Sequence, residues 1–190
     1  MLTSTAADTD ANQDGFKALR RLAAIMCFVV AIGGALAELA LAWVWLSPSI
    51  VTAYVAPHVG LAGASVSTDG TTRLLGFLAC MIPLSVLFYA LHQAYELFDS
   101  YRLGKVFPDD APARLRRIGL CMLALAILRP LTGALLSVIL TAAAPAGQRM
   151  LTLGISIDDY MIALFGGLIL AIAYVMTEAA RVAADNRLIV

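Results

Sequence analysis

Four long apolar runs, at residues 22–46, 74–95, 118–140 and 159–177, dominate this chain of 190 residues. Each is about long enough to cross a ~30 Å hydrocarbon layer as a helix. A soluble domain has no use for so much apolar length, and a composition that is 61% hydrophobic and 14% charged points to the bilayer as solvent. The fold class predicted from this is an all-α integral membrane protein, an antiparallel four-helix transmembrane bundle over residues 17–190. The polar leader 1–16, with Asp8, Asp10 and Asp14, is expected to stay disordered.

The formal net charge of zero conceals an asymmetry. Lys17, Arg20 and Arg21 precede the first run. Arg102, Lys105, Arg114, Arg116 and Arg117 lie between the second and third, and Arg181 and Arg187 follow the fourth. The two opposite connections hold only Arg73 and Arg149. By the positive-inside bias both termini are cytoplasmic, which in a bacterium means the inner membrane. The first run imitates a signal peptide, with Ala35-Leu36-Ala37 as a cleavage site, but continues through Trp43 to Leu46, beyond an ordinary h-region; a retained helix is expected.

The first outer loop contains IVTAYV and LAGASVS, and the second contains LTLGISID, whose apolar residues alternate at Leu151, Leu153, Ile155 and Ile157. Period-two patterning predicts a small β-like cap outside the membrane, with interfacial coil as the competing reading. Helix punctuation is conventional: Asp69-Gly70 before the second helix, Asp109 or Asp110 ahead of Pro112 before the third, Asp158 or Asp159 before the fourth, and Gly104 ending the second. These acidic pairs are read as caps rather than as catalytic carboxylates. Cys27, Cys80 and Cys121 lack any C-x-x-C spacing and are read as small packing residues, with no metal site. No phosphate-binding glycine motif occurs, and His58 and His92 fall near opposite membrane faces, so a bis-histidine haem within one chain is not expected. No cofactor and no direct nucleic-acid contact are predicted.

Two blocks, YRLGKVFPDDAPARLRRIGL at 101–120 and the ending from SIDDY to Val190, carry a resemblance. They are similar to a bacterial membrane family catalogued as domain of unknown function 2975. Gly104, Lys105, Phe107, Leu115, Arg116, Arg117, Ile118 and Gly119 match its first pattern, and Glu178, Asp185, Asn186 and Val190 its second. The resemblance implies a four-helix inner-membrane protein without established activity, whose genomic neighbours are often small DNA-binding regulators. It implies no catalytic residues.

The ionisable residues inside the spans are the candidate site. An arginine at the centre of a helix costs about 2.5–3.5 kcal/mol to insert, so Arg129 has to face protein rather than lipid. Ala126, Thr132, Gly133 and Ser137 share its face. Pro130 also frees the carbonyl of Ala126, which the guanidinium is placed to serve. Glu38 lies beside Ala31, Gly34, Ala35 and Ala42; it and Arg129 stand about 24 Å and 17 Å above the inner helix ends. An intramembrane Glu38–Arg129 pair is predicted, either structural or the site of an ion, proton or anionic ligand. A titratable stripe of Ser85, Tyr89, His92 and Glu96 runs down the second helix to Asp99, met by Tyr174, Thr177 and Glu178 of the fourth. Arg102, Lys105, Arg114, Arg116 and Arg117 form a surface for lipid headgroups or a protein partner. The small face of Ala163, Gly166, Gly167, Leu170 and Ala171 serves packing within the bundle or between protomers. The predicted function is a non-enzymatic regulatory, sensory or anchoring membrane protein, with a small proton, ion or solute transporter as the alternative.

Overall fold

The structure is a computed structural model that describes residues 3–104, 110–145 and 148–187. The four apolar runs all lie in long helices: α1 (Thr3–Leu46), α4 (Gly70–Arg102), α5 (Ala111–Thr141) and α6 (Ile157–Arg187). Two single turns, α2 (Pro48–Ile50) and α3 (Ala56–His58), flank a π-helical turn at Val51–Val55. Each long helix contains a stretch long and apolar enough to cross a membrane, namely Arg20–Leu46, Gly70–Arg102, Ala111–Thr141 and Ile157–Val182. The chain is a membrane protein by this measure.

The helices alternate in direction. Trp45 of α1 lies over Gly76 of α4, Gly34 over Phe88, and the Cys27 thiol reaches the carbonyl of Tyr95, a steady antiparallel register. Arg117 donates to Gln93 and Arg114 pairs with Glu96 across α4 and α5. Extensive packing joins only α1 to α4, α4 to α5 and α5 to α6. A closed bundle would also pack α6 on α1, so the described helices form an open row instead of the predicted bundle. The reason lies in how narrow each buried stripe is. On α6 it consists of Asp159, Gly166 and Ala173, seven residues apart, enough for one neighbour. At most 17% of each apolar window is buried, which leaves the remainder for lipid or for other helices.

The predicted leader is also different: α1 begins at Thr3, so the polar segment prolongs the first helix. Propagating an existing helix adds a hydrogen bond for each residue fixed and avoids the nucleation cost.

The β-like cap is replaced by helical turns and irregular chain, with no strand among the described residues. IVTAYV follows Pro48 at a helix start and continues as the π turn, since neither short apolar piece meets a partner strand. Val51, Ala56 and Leu61 close over Trp45, Ala79, Leu136 and Leu140, the apolar core at this end of the row. Gly60, at a φ of +77° and in close approach to Thr152, joins this cap to the second loop. At the opposite, basic end, Gly104 with a φ of +86° terminates α4 as the sequence predicts.

Between α5 and α6 the chain turns back along α5. The Met150 amide donates to Thr141 Oγ1 (3.2 Å) and the Thr152 amide to Ser137 Oγ (3.0 Å), both hydroxyls being buried. Leu151, Leu153, Ile155 and Ile157 do alternate, but all four point outward and are exposed. The first turn of α6 thus stands beside Arg129, about 18 Å inside the end of α5 at Thr141.

The α5–α6 contact rests on two glycines. A Cβ at Gly166 would lie 2.9 Å from Met122 Cβ and 3.1 Å from the Gly119 carbonyl, whereas one at Gly167 would meet nothing within 4 Å. Gly166→Ala is expected to lower stability by ~1–3 kcal/mol through overpacking, and Gly167→Ala to leave it unchanged or slightly raised. Thermal unfolding of the two detergent-solubilised variants measures the contrast.

Candidate functional site

The site is built on the Arg129 face of α5. Arg129, Thr132, Gly133 and Leu136 follow at helical spacing and line a cavity of about 570 Å³. Pro83 of α4 forms one wall, Thr152 to Asp159 the opposite wall, and Pro57 to Gly60 the roof. Small residues at 132 and 133 leave the volume open, and Gly60 lets the roof approach Thr152 closely. The inward stripe predicted around Arg129 is therefore the face of a cavity, with Ser137 buried just above it.

Ser156 and Asp159 hold the start of α6 reciprocally. The Asp159 amide donates to Ser156 Oγ (3.2 Å), and Asp159 Oδ2 accepts from the Ser156 amide (2.9 Å) and hydroxyl (2.8 Å). This is a capping box in which Asp rather than Glu returns to the cap residue. The cap is Ser156 rather than the predicted Asp158 or Asp159, and Asp159 stands at the third helical position, where it bonds back to the cap residue.

The same carboxylate is the partner of Arg129. Arg129 Nη1 stands 3.2 Å from Asp159 Oδ1, with the Arg129 side chain 43% exposed and that of Asp159 only 7%. The approach is too poorly aligned for a directed hydrogen bond, so Oδ1 is a buried acceptor without a donor; Thr152 Oγ1 is another. The pair is thus a close Coulombic contact at the cavity wall. The guanidinium makes it across to α6 instead of turning back to the Ala126 carbonyl.

The predicted Glu38–Arg129 pair within the chain is corrected by this arrangement. Glu38 is exposed on α1 and forms no ion pair with the described residues. The register places it level with Leu84 of α4 and close to the depth of Arg129, but α4 stands between. Depth was legible in the sequence; the lateral order of the helices was not.

Ser85, Tyr89 and His92 are exposed along α4, and Ser85 donates only to its own helix at Ile82. Glu96 pairs with Arg114 (3.4 Å) and Asp99 with Arg102 (2.6 Å). Tyr174, Thr177 and Glu178 do not meet this stripe: Tyr174 is 75% exposed, Thr177 bonds to Ala173, and Glu178 pairs with Arg181. Of the predicted basic surface, Arg102 and Arg114 are engaged by carboxylates of the chain. Arg116 is exposed, Arg117 reaches Gln93 (3.3 Å), and Lys105 lies outside the described residues. On α6, Gly166 and Leu170 face α5, while Gly167 and Ala171 face outward.

Asp158, Asp159, His58 and Pro83 all line the cavity and escaped the sequence reading as site residues. One signal was present. Two adjacent carboxylates, Asp158 and Asp159, stand at the edge of an apolar run, within reach of the face of an intramembrane cation.

A family model described as a protein of unknown function (DUF2975) matches residues 62–190. Both sequence blocks that carry the resemblance fall inside this range, as do α4, α5 and α6 with every residue of the Arg129–Asp159 pair. No curated protein and no solved structure matches the chain.

Pairing of Arg129 with Asp159 leads to a measurable coupling. In a double-mutant cycle, Arg129→Ala and Asp159→Ala are expected to be non-additive by ~0.5–3 kcal/mol in unfolding of the solubilised protein. Additivity would show that the contact contributes nothing to stability.

Proposed function

We propose that the chain, which belongs to the DUF2975 family of proteins of unknown function, is a non-enzymatic protein of the bacterial inner membrane, with both termini in the cytoplasm. In this reading it regulates, senses for or anchors another protein at its cytoplasmic face. The observation that carries the reading is the division of labour among the arginines at the basic end. Arg102 and Arg114 are held by Asp99, Glu96 and Asp110, and Arg20 donates to the Arg102 carbonyl (3.1 Å). Arg116 and Arg117 stand exposed on the first turns of α5, paired with no carboxylate of the described residues, although Arg117 also donates to Gln93. Cations held in this way shape the platform, and outward ones are available to acidic groups on a partner or to lipid headgroups.

The alternation of basic and sparse connections supports the orientation. The resemblance to a family with small DNA-binding regulators as neighbours supports such a regulator as the partner, bound as a protein through acidic groups. A second reading, a small proton, ion or solute transporter, draws on the cavity beside Arg129. It uses the Arg129–Asp159 pair in place of the Glu38–Arg129 pair.

The two readings separate by experiment. Gentle extraction of the tagged full-length chain is expected to bring down a cytoplasmic protein that Arg116→Gln with Arg117→Gln releases, by about tenfold or more in recovery. Repeated recovery of the chain alone, or equal recovery with the variant, would overturn the regulatory reading. Proton or solute flux into reconstituted vesicles, abolished by Arg129→Gln, would establish the transporter instead.

A further inference from the structure

Glu38 is an exposed carboxylate on a membrane-spanning helix, and none of the described residues of its own chain pairs with it. It stands eight residues, about 12 Å, from the end of α1 at Leu46. At that depth a carboxylate facing lipid is costly, and a cationic partner in the membrane relieves that cost. Bulky side chains cover most of the outer surface of α1, among them Phe28, Ile32, Leu39 and Trp43. Ala31 and Ala35, also exposed, lie on the flank of Glu38 and admit a second helix at close range.

The matching group is Arg129. Arg129 is a cation well inside the spans; Arg73, near the cap end, is committed to the Leu46 carbonyl (2.8 Å). The guanidinium has five N–H donors, and its contact with Asp159 uses one nitrogen, Nη1. Its side chain is 43% exposed into an open cavity, at nearly the depth of Glu38. Asp158 also lines that cavity, and His58 is part of its roof. The charge of Asp159 is offset in part by the start of α6, which donates to its Oδ2 and presents the positive end of the helix dipole. Arg129 is therefore able to serve a second carboxylate.

We infer that Glu38 of one copy pairs with Arg129 of a second copy, so that the flank of α1 seats against the cavity between α4, α5 and α6 of its neighbour. The contact completes the site, because each chain supplies the carboxylate that its own row holds on the wrong side of α4. It satisfies both charges at one depth and covers apolar surface that the open row leaves bare. The inference is independent of any cytoplasmic partner.

The test uses the full-length chain with Cys27, Cys80 and Cys121 replaced, produced as two differently tagged copies in one membrane. One copy carries Glu38→Cys, and the other Ala126→Cys, level with Glu38 on the Arg129 face, or Ile127→Cys on the exposed opposite face. Oxidation is expected to join the two tags through positions 38 and 126, and not through 38 and 127. In a native-cysteine background, Glu38→Gln is expected to weaken self-association in vesicles about tenfold or more, read by energy transfer between labelled copies on lipid dilution. Equal cross-linking at 126 and 127, a 38–126 disulfide within one chain, or a monomer at every lipid dilution would each overturn the inference. Unchanged association of Glu38→Gln would do so as well.

Discussion

In hydrocarbon every backbone N–H and C=O needs a partner inside the protein, and α5 is the element that meets this demand for its neighbour. The chain between α5 and α6 descends along α5 without regular hydrogen bonding of its own. Ser137 and Thr141, one turn apart and buried, accept the amides of Thr152 and Met150 and donate onward to carbonyls of α5. Two hydroxyls thus substitute for a missing turn of helix. Their placement decides where α6 begins, and that decides which carboxylate stands beside Arg129.

Much of the architecture was legible because it follows from transfer energetics. Apolar length gave four spans, and Gly104 gave the end of α4. What hydropathy does not encode is lateral order: a helix exposed to lipid over most of its surface has the same composition in an open row as in a closed bundle. Glu38 and Arg129 illustrate this, since depth is set by counting residues, but contact depends on which helix intervenes. Asp159 was read as local punctuation at the start of the last helix, and the hydroxyl three residues before it, Ser156, is the cap it answers. That the same carboxylate also meets a cation on α5 depends on the descent of the preceding segment, a tertiary fact. The alternation in LTLGISID was real but forms no strand among the described residues, and its apolar residues lie exposed along one side of an extended segment.

The two ends of the row use charge differently. At the basic end, short-range pairs such as Arg114 with Asp110 and Glu96 lie near water, where such contacts contribute little individually and serve chiefly to set side-chain geometry. Near the cap end Asp159 is buried where a misplaced charge is far more expensive, so its contact with Arg129 adds a constraint to the glycine packing that joins α5 and α6. Pro83 and Pro130, both against the cavity, remove hydrogen-bond donors from the helices on either side of it. Carbonyls and side chains at that level are consequently more adaptable than elsewhere in the spans.

Packing only between neighbours in the chain has a consequence for biogenesis. Every helix finds its principal contact in the one synthesised just before it, so the hairpin of α1 and α4 is complete before α5 emerges. Contacts close in sequence separation favour rapid, stepwise assembly. Only α6 has to wait for more than a bare helix: its starting point exists once the hydroxyl-bearing turn of α5 is in place, and its docking is therefore the last act of maturation.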